Sequence, residues 1–146
     1  MTNASVAKGT RGEHVAIAAL NKHSGLDFKR VPLSGAGHIK GDIFLVNKAN
    51  RFCIECKNYS EDHLTSKILT SKDSQFEKWW LQATEQAEKS KQEPLLIFKF
   101  NRSKLFVATY VEMVSDKYKY FILHPHKIYI AKLEEWLTHE DIKWIL

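Results

Sequence analysis

The sequence predicts an α/β domain, a mixed β-sheet flanked by helices. Three observations point there. Helix-period segments near Ile17 and Trp80 enclose a group of strand-like runs, and more strand-like runs follow the second segment. The chain has 146 residues, enough for one domain with a real core, and 44% of them are hydrophobic and 27% charged, an ordinary globular balance. No repeat, low-complexity tract or long linker interrupts it, so residues 1–146 are read as a single domain.

The elements follow in order. "TRGEHVAIAALNKH" predicts the first helix, with Ala16, Ile17 and Leu20 as its apolar stripe and Gly25 as its stop. Glu13 lies one turn before Ile17 on that stripe, so its carboxylate points toward whatever the helix packs on. "LDFKRVPL" reads as a strand ending at Pro32, and "SGAGHIKG" as a glycine-rich loop. "DIFLVN" and "RFCIECKNY" read as two strands, joined through the polar "KANR" into an antiparallel hairpin. "EDHLTSKILTSKDS" is polar and irregular. "SQFEKWWLQATEQAEKSKQ" predicts the second helix, with Phe76, Trp79, Trp80, Ala83 and Ala87 on one face and Gln75, Lys78, Gln82, Gln86 and Lys89 on another. "PLLIFKF" and "KLFVATYVEM" read as strands around an "NRS" turn. The tail adds "KYFIL", "KIYIA" and a helix around "KLEEWL".

Composition narrows the function classes. No apolar run reaches membrane-spanning length, and the N-terminal "MTNASVAKGTRGE" has no apolar signal core. A cytoplasmic protein without a membrane partner is expected, in the host cell if the gene is viral. The net charge of +5 permits a polyanionic partner without requiring one. The two cysteines, Cys53 and Cys56, form a C-x-x-C. On a strand their parity differs, so they face opposite sides and are expected to be reduced structural thiols.

The hairpin carries the chemistry. Strand alternation sets Glu55 and Lys57 on one face, and Phe52, Ile54 and Cys56 on the other. The antiparallel return brings Asp42 close to Glu55 and Lys57. Neighbouring carboxylates repel, and both ionise most easily with a cation between them. Such oxygen donors suit Mg²⁺, with Mn²⁺ as a substitute, and a lysine beside the metal can orient a water. The glycine-rich loop before Asp42 lets backbone approach a polyanion. A solvated hairpin with an incidental salt bridge is the alternative reading of this pattern alone.

The D-x12-E-x-K arrangement resembles the core of the PD-(D/E)XK nucleases, with Gly41-Asp42 where that family often has Pro-Asp. Four segments, "KGTRGEHVAIAAL", "RVPLSGAG", "GDIFLV" and "CIECK", resemble in the same order those of Holliday junction resolvases of the archaeal Hjc type. Such compact resolvases also occur in phages. The likeness covers residues 8 to about 60 and is only architectural beyond Tyr59.

The resemblance implies a restriction-endonuclease-like fold and a Mg²⁺-dependent, homodimeric DNA endonuclease that nicks four-way junctions symmetrically and leaves 5′-phosphate ends. It implies Asp42 and Glu55 as metal ligands completed by Glu13, and Lys57 as the catalytic lysine. It implies Ser34 as a phosphate contact and Arg30 as a basic residue meeting DNA backbone. His38 and Lys40 in the loop are further DNA-binding candidates. Gln75 and Lys99 are supporting candidates, the latter reaching toward the acidic cluster or simply snorkelling. Alternatives are a restriction-like or single-strand-acting PD-(D/E)XK nuclease, or a non-catalytic DNA-binding module. Trp79 and Trp80 could stack on opened bases, although helical spacing favours core. Gly41 in place of proline and the short loop before it depart from the archaeal pattern.

Overall fold

The computed structural model describes the backbone of residues 3–32 and 39–146. The elements run α1 (Asn3–Ser24), β1 (Phe28–Arg30), β2 (Ile43–Leu45), β3 (Phe52–Tyr59), α2 (Lys67–Thr70), α3 (Gln75–Ser90), β4 (Glu93–Phe100), β5 (Phe106–Thr109), β6 (Tyr120–Leu123), β7 (Ile128–Lys132) and α4 (Leu133–His139). The expected order of helix, strands, helix, strands and a last helix holds. The first helix begins earlier than its apolar stripe suggests. One helical turn, α2, lies inside the stretch read as irregular.

The strands form one seven-stranded sheet in the order β1-β2-β3-β4-β5-β7-β6. β3 and β4 are parallel, aligned from Phe52↔Glu93 to Tyr59↔Phe100, and the crossover between them carries α2 and α3. Every other pairing is antiparallel. The sheet is therefore mixed, and the α/β reading is correct.

Alternation along the central strands sends side chains into two cores. Ile54, Leu95 and Ile97 join Ala16 and Leu20 of α1 and Trp136 of α4 on one face. Leu96, Phe98 and Phe100 join Phe76, Trp79 and Trp80 of α3 on the other. Trp79 and Trp80 are buried core residues, 2% and 6% exposed, which leaves no free ring face for a base. Each helix buries the stripe its periodicity marks, because burying an aliphatic or aromatic side chain is worth about 1.5–3 kcal/mol.

The helix ends have local causes. Gly25 adopts φ +72° after α1 and donates its N–H to the Asn21 carbonyl, a left-handed termination. Ser74 caps α3, accepting the Glu77 N–H at 3.3 Å while its hydroxyl donates to the Glu77 carboxylate at 2.8 Å. At the turn after β2, Asn50 accepts from the Leu45 N–H and donates back to its carbonyl, fixing the entry into β3. The C-terminal tail closes the α1-side core: Trp144 packs edge-on against Phe28 and Phe52, and its carbonyl accepts from Arg51.

Candidate active site

The hairpin of β2 and β3 opens at its base, and Asp42 stands in the opening. The two strands pair in register at Ile43↔Ile54. Just before it, the Asp42 N–H donates to the Ile54 carbonyl at 2.7 Å, and the Asp42 Oδ2 accepts from the Cys56 N–H at 2.8 Å. The carboxylate thus takes the place of a backbone acceptor and is held by β3 itself. Gly41 makes this approach possible. It adopts φ +88°, and a Cβ there would lie 2.7 Å from the Ile54 carbonyl oxygen. Proline, locked near −65°, cannot take this conformation. The departure from Pro-Asp is therefore a different backbone route to the same aspartate.

Glu55 sits on the α3 side of the sheet, as parity requires, but that side is not solvated. Glu55 is only 5% exposed. Burial pushes its carboxyl up, and the charge of Asp42 and a hydrogen bond shared with the Asp42 carboxyl push the same way. The Lys57 ammonium opposes this. Lys57, two residues on, donates from Nζ to Gln82 Oε1 of α3 at 2.7 Å.

Glu13 reaches the same region from α1. The helix comes close because Gly12 faces β3: a Cβ at Gly12 would lie 2.7 Å from Asn58 Cβ. The Glu13 carboxylate is raised by burial and by Asp42, while the Arg30 guanidinium, paired with it at 2.5 Å, lowers it. Three carboxylates therefore feel one another around Asp42, two from opposite faces of the sheet.

The structure gathers Glu13, Arg30, Asp42, Glu55 and Lys57. Ser34 and His38 lie outside the described residues. Lys40 lies close enough to Cys53 to act on its thiol. Gln75 starts α3, and the glutamine that reaches Lys57 is Gln82, about two turns further along. Lys99 does not reach toward the acids. It occupies the α1 side of β4, and its ammonium donates to the Phe100 carbonyl at 3.2 Å. The cysteines are free. Burial pushes the Cys53 thiol up to about 12 and raises Cys56 further, with Asp42 adding to the latter. Protonated thiols on opposite faces form neither a redox pair nor a metal clip.

Among the described residues no three His, Cys, Asp or Glu side chains converge closely enough to hold a metal ion. Glu13 is engaged by Arg30. What remains is the Asp42–Glu55 pair, in which the Asp42 charge raises the buried Glu55 carboxyl. A hard divalent cation fits that donor set, since it offsets the same repulsion with the same oxygen atoms.

The family described as "Phage putative PDDEXK endonuclease" matches residues 4–146. The chain belongs to this family. The coarse activity is that of a nuclease, a phosphodiester hydrolase. Protein D14 of Escherichia phage T5 is 32% identical over 149 residues, covering 93% of each chain. Among solved structures, the Holliday junction resolvase Hjc of Archaeoglobus fulgidus is similar over 92% of each chain at 20% identity, with a TM-score of 0.45.

One residue of the candidate site, Gln82, escaped the sequence reading. Gln82 stood on the polar stripe of its helix, but nothing in that stripe distinguishes it from Gln75 or Gln86. Only the packing of α3 across β3 selects it. Among the described residues no helix is long and apolar enough to cross a membrane.

Proposed function

We propose that this nuclease is a divalent-metal-dependent DNA endonuclease that resolves four-way junctions as a homodimer, two symmetry-related sites nicking the two strands. The observation that carries the hydrolytic part is the Asp42–Glu55 carboxyl pair with Lys57 beside it. The junction preference is supported by "KGTRGEHVAIAAL" and "RVPLSGAG", whose residues resemble, in the same order along the sequence, segments of junction resolvases.

In this reading Asp42 and Glu55 hold the cation, Mg²⁺ or Mn²⁺, and Glu13 supports them. Bound there, the ion supplies Lewis-acid charge that eases deprotonation of a water and offsets charge on the phosphate. Lys57 orients the attacking water, and Gln82 fixes Lys57 for that task. Water attacks phosphorus, the bond to the 3′ oxygen breaks, and that oxygen takes a proton, leaving 3′-hydroxyl and 5′-phosphate ends. Arg30, Lys40, Ser34 and His38 meet the DNA backbone.

The test is Mg²⁺-dependent cleavage of a synthetic four-way junction, set against duplex, fork and single strand of the same sequence. Preferential, paired nicking of the junction is expected. Equal cutting of junction and linear duplex would replace the resolvase with another PD-(D/E)XK nuclease. Binding without cleavage in either metal would make the chain a non-catalytic DNA-binding module.

A further inference from the structure

Beside the acidic cluster, on the α1 face of the sheet, lies a cleft of about 410 Å³ lined by Arg11, Gly12, Val15, Asn58, Lys99, Asn101 and Arg102. Its three charged lining residues are all cations, and none of the seven is a carboxylate. The sheet produces this grouping. Asn58 and Lys99 are partners in the parallel register of β3 and β4, so both side chains emerge under α1. The turn after β4 brings Asn101 and Arg102 to the rim, and Arg11 faces them from the helix.

We propose that this cleft binds a backbone phosphate of the DNA strand, a few nucleotides from the phosphate that is cut. The inference rests on the nuclease reading above and adds a subsite to it. Two guanidinium groups on opposite rims can each grip a phosphate with paired N–H donors. The Lys99 ammonium has three donors and spends one on the Phe100 carbonyl, leaving the others for the floor of the cleft.

Position argues for DNA. Gly12 immediately precedes Glu13, and Asn58 immediately follows Lys57, so the cleft and the candidate active site are built on the same stretches of α1 and β3. Asn58 lies about 10 Å of strand beyond Glu55 and emerges on the α1 face, opposite to it. Duplex DNA rises about 3.4 Å along its axis for each nucleotide of one strand. Glu13 acts on Asp42 from the α1 face, the face that carries the cleft, so a strand seated at Asp42 offers a second phosphate there.

The neighbouring cleft provides a contrast. It shares Val15 and Lys99 and adds Lys22, Lys104 and Lys132, but Glu134 and Glu135 line it too. Its two glutamates offset two of its four lysines, whereas no carboxylate offsets the cations of the first cleft.

The test measures binding without cleavage. In an Asp42→Asn background, the affinity for labelled junction and duplex is followed by fluorescence anisotropy across a salt series. Arg11→Ala with Arg102→Ala removes two charges from exposed positions. It is expected to weaken binding about 10- to 100-fold and to reduce the slope of log affinity against log salt by about 1 to 2. Lys22→Ala with Lys104→Ala removes the same charge from the neighbouring cleft and should leave the slope nearly unchanged. Equal loss in both double variants would reduce the effect to general charge and overturn the subsite. Unchanged affinity and slope in the arginine pair would overturn it too, while DNA binding by the Asp42→Asn parent keeps the nuclease reading. A parent that binds no DNA at any salt overturns both.

Discussion

The charge of Asp42 bears directly on the Glu55 carboxyl, and Glu55 is almost fully buried. Its folded-state affinity for a proton is raised above the ordinary 4.5, first by burial and then by Asp42. The folded chain therefore holds this proton more tightly than the unfolded chain. The resulting stability is complete below about 4.5 and is lost as pH rises through the raised value. Glu13 contributes with the same sign. In chelator, thermal unfolding should show falling stability from mildly acidic to mildly alkaline pH, with Glu55→Gln flattening that fall. Mg²⁺ should stabilise the wild type more at the alkaline end, where it no longer competes with a proton. A metal effect that grows toward acid would contradict the assignment.

Asp42 has two tasks that substitution can separate. Its Oδ2 accepts the Cys56 N–H. Asp42→Ala should abolish cleavage and also cost about 1–3 kcal/mol, because that N–H loses its partner. Asp42→Asn keeps an oxygen acceptor, so it should lose cleavage with little change in melting temperature. Glu55→Gln should likewise lose cleavage and still bind junctions. Wild-type cleavage rates in Asp42→Ala and Glu55→Gln would remove both residues from the site.

Gln82 should act through Lys57. Gln82→Ala frees the ammonium and is expected to lower the single-turnover cleavage rate roughly tenfold, less than the about 10²–10⁴-fold typical of losing a proton-transfer group outright. Gln82→Glu retains an acceptor and should recover most of the rate. DNA affinity should not change in either. A Gln75→Ala effect equal to that of Gln82→Ala would contradict the geometry.

Two glycines of α1 should respond with opposite signs. Nothing lies within 4 Å of a Cβ placed on Gly9, so Gly9→Ala should stabilise by up to about 1 kcal/mol through helix propensity. Gly12→Ala forces a contact of 2.7 Å with Asn58 Cβ. Overpacking of about 1–3 kcal/mol outweighs the propensity gain, and the outward shift of α1 should also slow cleavage by displacing Glu13. Chemical denaturation of the pair reads both signs.

Restoring the family's proline should do harm. Gly41→Pro replaces φ +88° with a locked φ near −65° and collides with the Ile54 carbonyl. It should destabilise by more than about 1 kcal/mol and reduce cleavage, despite matching the Pro-Asp pattern more closely. Full activity in Gly41→Pro would mean that the backbone at Asp42 can take the other route.

The sequence by itself determined the element order, the hairpin, the separation of Cys53 from Cys56 and the approach of Asp42 to Glu55. These depend on periods of 2 and 3.6 residues and on short connections, which are local properties. It also marked Glu13, because the helix stripe shows which way that carboxylate points. Only the tertiary structure decided what each group meets. Strand alternation set Glu55 and Lys57 on one face, and only the fold shows that α3 lies over that face and that Glu55 is buried, which raises its carboxyl. Lys99 was legible as a lysine in an apolar strand, but the parallel register of β3 and β4 directs it to the basic cleft. Gln82 was indistinguishable from its neighbours until α3 lay across β3. Burial, charge coupling and side-chain partners arise between elements distant in sequence, and no periodicity within one element records them.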